Sequence, residues 1–460
     1  MIFLVKSLEE KERVEIQLKE NPEAKIDKNI LNRPSDINKL AVAFRTTILG
    51  TLMDESYRRL SFFFADSTIA QWFIGIDTPV GGATPAKSSI ERYEKLWSED
   101  EISDLIKKLN RVVSEQANAE KLLSSDLPLD FTHYYADSTC IESNIHHPVD
   151  WLLLRDAVRR LTASIKIIRA QGILHRMKSP DSFLSKMNSL TMSMTESSRN
   201  RSADGKKKQK AAFRSMRDLL NTVVKHAERY KKLLEGNWKI TEWSKAQMLQ
   251  VIKRIDNVLE QVPDIIKIAY KRIIQHKQTK NADKILSLYE KNVHVIKRGK
   301  AQGEIEFGNK FYLAEQENGL IVDWDYFKEK QISDARIFKD SITRIESQFT
   351  IKSMTTDRGF DSKRNRKTLE DKGIYNSICP TAPNVLQERL KEGKFCAEQK
   401  RRSQTEGRIG IFKSKFIGSK IQRKGFENGD KKILWSILTH NLWVVARIAI
   451  ENKESKLEAA

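Results

Sequence analysis

The stretch ITRIESQFTIKSMTTDRGFDSKRNRKTLEDKG, residues 342–373, decides the fold. An apolar-periodic run comes first, then a short β-prone run, then an acid followed by Arg358 and Gly359, then a basic run with helical character. The order predicts helix, strand, turn and helix with hardly a spare residue between them. Asp357 falls at the C-terminal tip of the strand, where a side chain is exposed and rigidly held. That position suits metal binding, and it equally suits a simple turn in which Gly359 serves only the chain reversal.

Working outward, the same texture recurs. Near residue 128, PLDFTHYYADSTCIESNI is rich in β-branched and aromatic residues and predicts a strand, a turn and a second strand, with Asp137 at the end of HYYAD. A helical period then holds for most of 149–290. Phe213, Met216, Leu220, Val223, Ala227, Tyr230 and Leu234 form one apolar stripe, and Met248, Val251, Ile255, Val258 and Val262 another. Such stripes are core faces. Between the helices, SSRNRSADGKKKQK is expected as a basic loop, either solvated or laid along phosphates. From about 293, HVIKRGKAQGEIEFGNKFYLAEQENGLIVDW returns to β texture with ENG as a hairpin turn, and IYNSICP supplies a short strand after residue 373. With the helical block set aside, the chain is an α/β protein whose mixed core carries acids at two strand ends.

The N-terminal residues 1–76 are expected to be helical, and DTPVGGATPAKSS breaks that pattern as a linker or long turn. Ser88 precedes Glu91 by three residues and Ser98 precedes Glu101 by three, so two capping boxes are expected to open successive helices across 88–123. Short helices behind a turn suit either plain packing or a helix-turn-helix reader of DNA. The composition favours a polyanion: 82 Lys and Arg against 61 Asp and Glu give a net charge of +21, and release of counterions from phosphates drives such association whatever the sequence. Three scattered cysteines fit neither a zinc motif nor a disulfide framework and suit a reducing, cytoplasmic setting. The apolar N-terminal MIFLV and the C-terminal WSILTHNLWVVARIAI are too short or too interrupted to be read as a signal peptide or membrane span.

A third acid, Glu406, lies on a late helical segment. Gln399, Arg402, Glu406 and Lys413 are spaced by three, four and seven residues and share one helical face. Three carboxylates can hold two divalent cations about 4 Å apart, clamping both oxygens of an in-line displacement at phosphorus. Basic neighbours can grip backbone phosphates. An ordinary ion pair between Arg402 and Glu406 is the plain alternative, and Gly407 and Gly410 argue against a stable helix there. Glu142, His146 and His147 are candidate metal ligands by type, and the favoured reading sets them at the surface or behind the site. Asn441 is expected to serve packing.

With YADSTCIESNI around Asp137, TTDRGFDSK around Asp357 and RRSQTEGRIGIFKSKF around Glu406, the chain resembles the DDE transposases of bacterial insertion sequences. The last segment fits that family's Tyr, Arg, Glu, Lys signature at Arg402, Glu406 and Lys413, with Gln399 in the Tyr position. IKRGKAQGEIEFGNK and LWSILTHNLWVVARI are also similar to family text, and FADSTIAQWFIGI echoes an N-terminal DNA-binding segment. The resemblance implies an RNase H-like mixed-sheet catalytic core (126–148 plus 291–450), an N-terminal helical DNA-binding region (1–125) and a large all-helical insertion (149–290). It implies catalysis by Asp137, Asp357 and Glu406 with two Mg²⁺ or Mn²⁺ ions, and DNA contacts from Arg402, Lys413, Arg358 and Gln399. Double-stranded DNA, as terminal inverted repeats and target, is the implied partner, with a homodimer holding two ends together. A non-catalytic end-bridging protein and a nuclease that does not join strands are the rival readings.

Overall fold

The computed structural model describes residues 34–76, 84–200, 202–280, 284–297, 305–329 and 332–458. It divides into two compact units, one running up to Glu142 and resuming at Asn309, the other spanning Ser143–Gly308. The apolar start of the chain and most of the expected linker lie outside the described residues.

The first unit opens with helices α1 (Pro34–Met53), α2 (Tyr57–Asp66), α3 (Thr68–Ile74), α4 (Lys87–Lys95), α5 (Glu99–Ser114) and α6 (Gln116–Leu123). Strand β1 (His133–Glu142) follows. After the second unit come the rest of β3 (Ile305–Gln316), β4 (Ile321–Tyr326), α12 (Asp334–Glu346), β5 (Ser353–Thr356), α13 (Lys363–Asp371), β6 (Tyr375–Ile378), α14 (Pro383–Arg389), α15 (Gly393–Ile411) and α16 (Phe426–Glu458). The sheet of this unit runs β4-β3-β1-β5-β6, antiparallel between β3 and β4 and parallel among β1, β5 and β6.

Strand β3 shows why the sheet is central. Phe311 and Leu313 face one apolar cluster with α1, α5 and α16, while Tyr312 and Ala314 face another with α12 and α13. Period-two alternation with both faces covered makes the strand read as continuously apolar, as expected of a sheet packed on both sides by helices. The N-terminal helices are part of this packing. Phe44 of α1 contacts Trp97 and Trp435, whose rings meet edge to face at 5.3 Å. Helix α5 buries Ile102, Leu105 and Ile106 in the same cluster as Trp435. Helix α16 is long and apolar enough to cross a membrane, but two thirds of its apolar stretch is buried here, as for a core helix.

In the second unit, α7 (Asp150–Ala170), α8 (Pro180–Arg199), α9 (Ala203–Asn237), α10 (Lys245–Leu259) and α11 (Val262–Ile273) close around one apolar core. Every residue of the two expected stripes is buried in it, although Val262 opens α11 rather than closing α10. Strand β2 (His294–Lys297) pairs antiparallel with residues 305–308, the start of β3.

Several local expectations need correction. The segment around Asp137 is one ten-residue strand, not two strands and a turn. The polar residues Ser138 and Thr139 imitate a turn in sequence, but they continue β1 toward Glu142. The expected basic loop at 197–210 is almost wholly helical: α8 runs to Arg199 and α9 starts at Ala203. Ser202 caps α9 by accepting from the Gly205 amide, and any Cβ at Gly205 would collide with the Asn200 carbonyl oxygen. Ser98 and Glu101 form the expected capping box. Ser88 does not, because α4 starts two residues earlier than that cap requires, with Ala86 in the cap position. The two glycines near Glu406 do not break α15.

Asn441 of α16 is fully buried and holds the start of β4. Its amide oxygen accepts from the Ile321 N–H (2.9 Å), and its NH₂ donates to the Ile321 carbonyl (2.8 Å) and to Asn110 Oδ1 of α5 (3.1 Å). The expectation of a structural role is met by bonding to an edge strand. Asn441→Ala leaves the Ile321 N–H and Asn110 Oδ1 without these bonds, while the Ile321 carbonyl keeps the Asn110 amide at 2.9 Å, and costs about 2–4 kcal/mol. Urea unfolding should show that loss, whereas Trp443→Ala at a 43% exposed side chain should cost about 1 kcal/mol or less.

Candidate active site

Strands β1 and β5 pair in parallel register with Ala136 opposite Thr356. The next residue on each strand is an acid, so Asp137 and Asp357 leave the end of the ladder side by side. Asp357 sits at a strand tip as expected, just before the 3-10 turn Arg358–Phe360. Asp137 lies mid-strand instead, where the ladder with β5 ends but β1 itself continues.

Each carboxylate is held locally. Asp137 Oδ1 accepts from the Ser138 N–H at 2.7 Å, and Asp357 Oδ1 accepts from the Gly359 N–H at 2.9 Å. Burial pushes the Asp137 carboxyl up to about 7. That value includes the charges of Asp357 and Glu406, which add to the rise, and the Ser138 amide and Arg402 guanidinium, which oppose it. Asp357 is raised too, by burial first and then by Asp334 and Glu406, while the Gly359 amide and Arg402 oppose the shift. Three acids from β1, the tip of β5 and α15 therefore feel one another's charge in one place, with Arg402 among them.

Glu406 reaches this place because α15 is pinned to the sheet by groups that sequence reasoning missed. Glu398, buried on α15, accepts from Tyr135 Oη of β1 (2.7 Å), Ser353 Oγ (3.1 Å) and Thr355 Oγ1 (3.3 Å) of β5. One helical turn later, Arg401 lies over the Tyr135 ring and pairs with Glu315 of β3. Glu315, 2% exposed, also takes Arg408 (3.1 Å) and the Thr405 hydroxyl (2.8 Å). A buried carboxylate is tolerated only when charge and hydrogen bonds replace its lost water, and both of these are so satisfied.

Of the expected DNA-contacting residues, Arg402 donates to Glu406 Oε1 (2.9 Å) and to Gln399 Oε1 (3.1 Å). Gln399 Nε2 donates to the Thr356 (3.3 Å) and Ser377 (2.6 Å) carbonyls at the ends of β5 and β6. Its amide thus faces inward, against the expectation of a DNA contact, because the strand ends leave carbonyls that need donors. Lys413, in the π turn Phe412–Ile417, reaches Thr139 Oγ1 at 3.5 Å. Arg358 is exposed beside Asp357. Glu142 pairs with Lys420, and His147 packs on Phe307.

A fourth acid, Asp334 at the start of α12, was not anticipated. Its Oδ1 accepts from Ser138 Oγ (2.6 Å) and from Lys310 Nζ of β3 (2.7 Å). Elsewhere, Asp130, His133 and Glu317 bring ligand atoms within 4.8 Å of one another. Two of these three are exposed, and Asp130 already accepts from the Thr132 N–H and hydroxyl. They stand at the opposite end of the β1–β5 ladder from Asp137.

Residues 309–442 match the family model described as transposase DDE domain, a likeness that covers under a third of the chain. No curated protein and no solved structure matches it. Such a domain acts on DNA and ordinarily uses divalent metal. The donor set fits: hard carboxylate oxygens that repel one another, with Arg402 and the Ser138 and Gly359 amides opposing that repulsion, suit Mg²⁺ or Mn²⁺.

Two outcomes follow. Glu398→Ala strands three buried hydroxyls and should cost about 2–4 kcal/mol in urea unfolding, with Tyr135→Phe milder. Because the raised Asp137 carboxyl keeps its proton below about 7 while a metal ligand must be ionised, divalent-ion affinity should fall as pH drops below 7. Calorimetry in buffers of different ionisation enthalpy should find proton release at pH 6 that fades by pH 8.5. Identical heats in all buffers at pH 6 would count against it.

Proposed function

We propose that this chain is a transposase that cuts DNA at the ends of an insertion sequence and joins the freed 3′-hydroxyl to target DNA. The observation that carries the reading is the β1–β5 register, which sets Asp137 beside Asp357 where Glu406 also exerts its charge. The mixed sheet with its parallel half and flanking helices supports an RNase H-like core. In this reading the N-terminal helices recognise inverted repeats and two copies hold two ends together.

Asp137, Asp357 and Glu406 hold the divalent ions, which supply Lewis-acid stabilisation of the oxygens around phosphorus. The remaining roles belong to the chain. The strand ends and the pinned α15 fix the carboxylates before DNA arrives, so little reorganisation is left for the reaction. Arg402 restrains Glu406 and offers its other guanidinium N–H groups to a backbone phosphate; a planar fork suits that task. Lys413, on the π turn that follows α15, and the exposed Arg358 bind neighbouring phosphates. Gln399 holds Arg402 in place rather than touching DNA. The chemistry is two displacements at phosphorus: water replaces a 3′-oxygen in the cut, and that 3′-hydroxyl replaces another in the joining, with no covalent enzyme intermediate.

The test is cleavage and joining of labelled DNA carrying the element's flanking ends, with Mg²⁺ or Mn²⁺. Nicked and joined products should form with the intact protein and fall by about 10³-fold or more in Asp357→Ala and Glu406→Ala. Nicking without joining would leave a nuclease. Specific binding with neither product would leave an end-binding protein.

A further inference from the structure

Gly359 poses a question that its backbone does not answer. It is not among the glycines with positive φ, so no conformational demand keeps a side chain from this position. What resists one is crowding. A Cβ there would come within 3.0 Å of Asp334 Oδ2 and 3.1 Å of Asp357 Oδ1. Two carboxylate oxygens from different elements, the start of α12 and the tip of β5, thus face a small cradle that glycine leaves open and that a Cβ would fill only by pushing one of them aside.

The partners of Asp334 sharpen the point. Both donors, Ser138 Oγ and Lys310 Nζ, converge on Oδ1, and Oδ2 is the atom turned toward the cradle. Asp334 is 26% exposed and Lys310 16%, so the pair is neither freely solvated nor sealed. Asp334 is the foremost like charge acting on Asp357. An arrangement that points a second carboxylate oxygen at an already crowded acid is repulsive; Lys310 relieves it from the Oδ1 side, and a cation in the gap would relieve it from the Oδ2 side.

We infer that Asp334 is a fourth carboxylate of the metal centre, and that Asp334 and Asp357 flank a cation position over Gly359. Lys310 neutralises Asp334 while that position is empty, and Ser138 ties it to the strand carrying Asp137. The inference rests on reading Asp137, Asp357 and Glu406 as the metal centre, and it adds a ligand that the three-acid pattern does not contain.

The experiment is titration of the full chain with Mn²⁺ alone, followed by calorimetry and by the electron paramagnetic resonance signal of free Mn²⁺, without DNA. The intact chain should bind two ions. Asp334→Asn should weaken one of them about 10- to 100-fold, the range for lost outer ligands and their supports, and leave the other in place. Gly359→Ala, which keeps every charge and fills only the cradle, should do the same. Lys310→Met should tighten that ion by removing the competing ammonium, an effect opposite to that of general structural damage. Circular dichroism melts establish that each variant is folded. Two ions bound with unchanged affinity in Asp334→Asn and Gly359→Ala would overturn this inference and leave the three-acid centre standing. An intact chain that binds no Mn²⁺, or whose binding ignores Asp137→Asn, would overturn the three-acid reading itself.

Discussion

The docking of α15 on the sheet is the constraint on which the rest depends. Glu406 sits on a helix that touches four strands, and two buried carboxylates, Glu398 and Glu315, fix it there. A helix held by apolar contacts alone can slide by a fraction of a turn at little cost, since dispersion is not directional. Hydrogen bonds and ion pairs to buried carboxylates are directional, and misplacing them leaves charges unpaired. The helix therefore has one register. Arg402 and Glu406 inherit it.

The same constraint explains the glutamine in the signature. At Gln399 the chain has an amide that bonds the carbonyls ending β5 and β6 while its oxygen receives Arg402. Those carbonyls belong to the strand ends that present the acids, so Gln399 closes the ladder and orients Arg402 together. A tyrosine hydroxyl could not donate to both carbonyls and accept from a guanidinium at once, given one proton. The side chain that differs from the family pattern is thus matched to its surroundings in this fold.

The N-terminal helices share cores with the sheet. Trp97, Phe44 and Trp435 form one aromatic group, and Arg423 pairs with Glu94 through two hydrogen bonds at 3.1 and 2.8 Å. Helix α5, a candidate DNA reader in sequence, buries much of its apolar face against α16 and lends Asn110 to Ile321. It is a strut of the core, and any DNA contact it makes uses only its outer face. That dual membership was hidden because an amphipathic helix has the same pattern whichever surface covers it.

The sequence by itself determined most of the kinds of element and singled out Asp137, Asp357 and Glu406 as candidate acids. Periods of 3.6 and 2 are written in local order, so α9, α12, β3 and β5 were legible, as was the pairing of two acids with strands. It misread places where short polar runs compete: Ser138 and Thr139 look like a turn, and residues 197–210 look like a loop, until neighbouring strands and helices supply partners. Tertiary structure alone decided that Asp137 lies beside Asp357, that Glu398 and Glu315 pin α15, that Gln399 turns inward, and that Asp334 meets the site across Gly359. Each of these joins residues far apart in the chain. Their positions depend on strand register and on the cost of burying charge without a partner, and neither leaves a mark in the local order of residues.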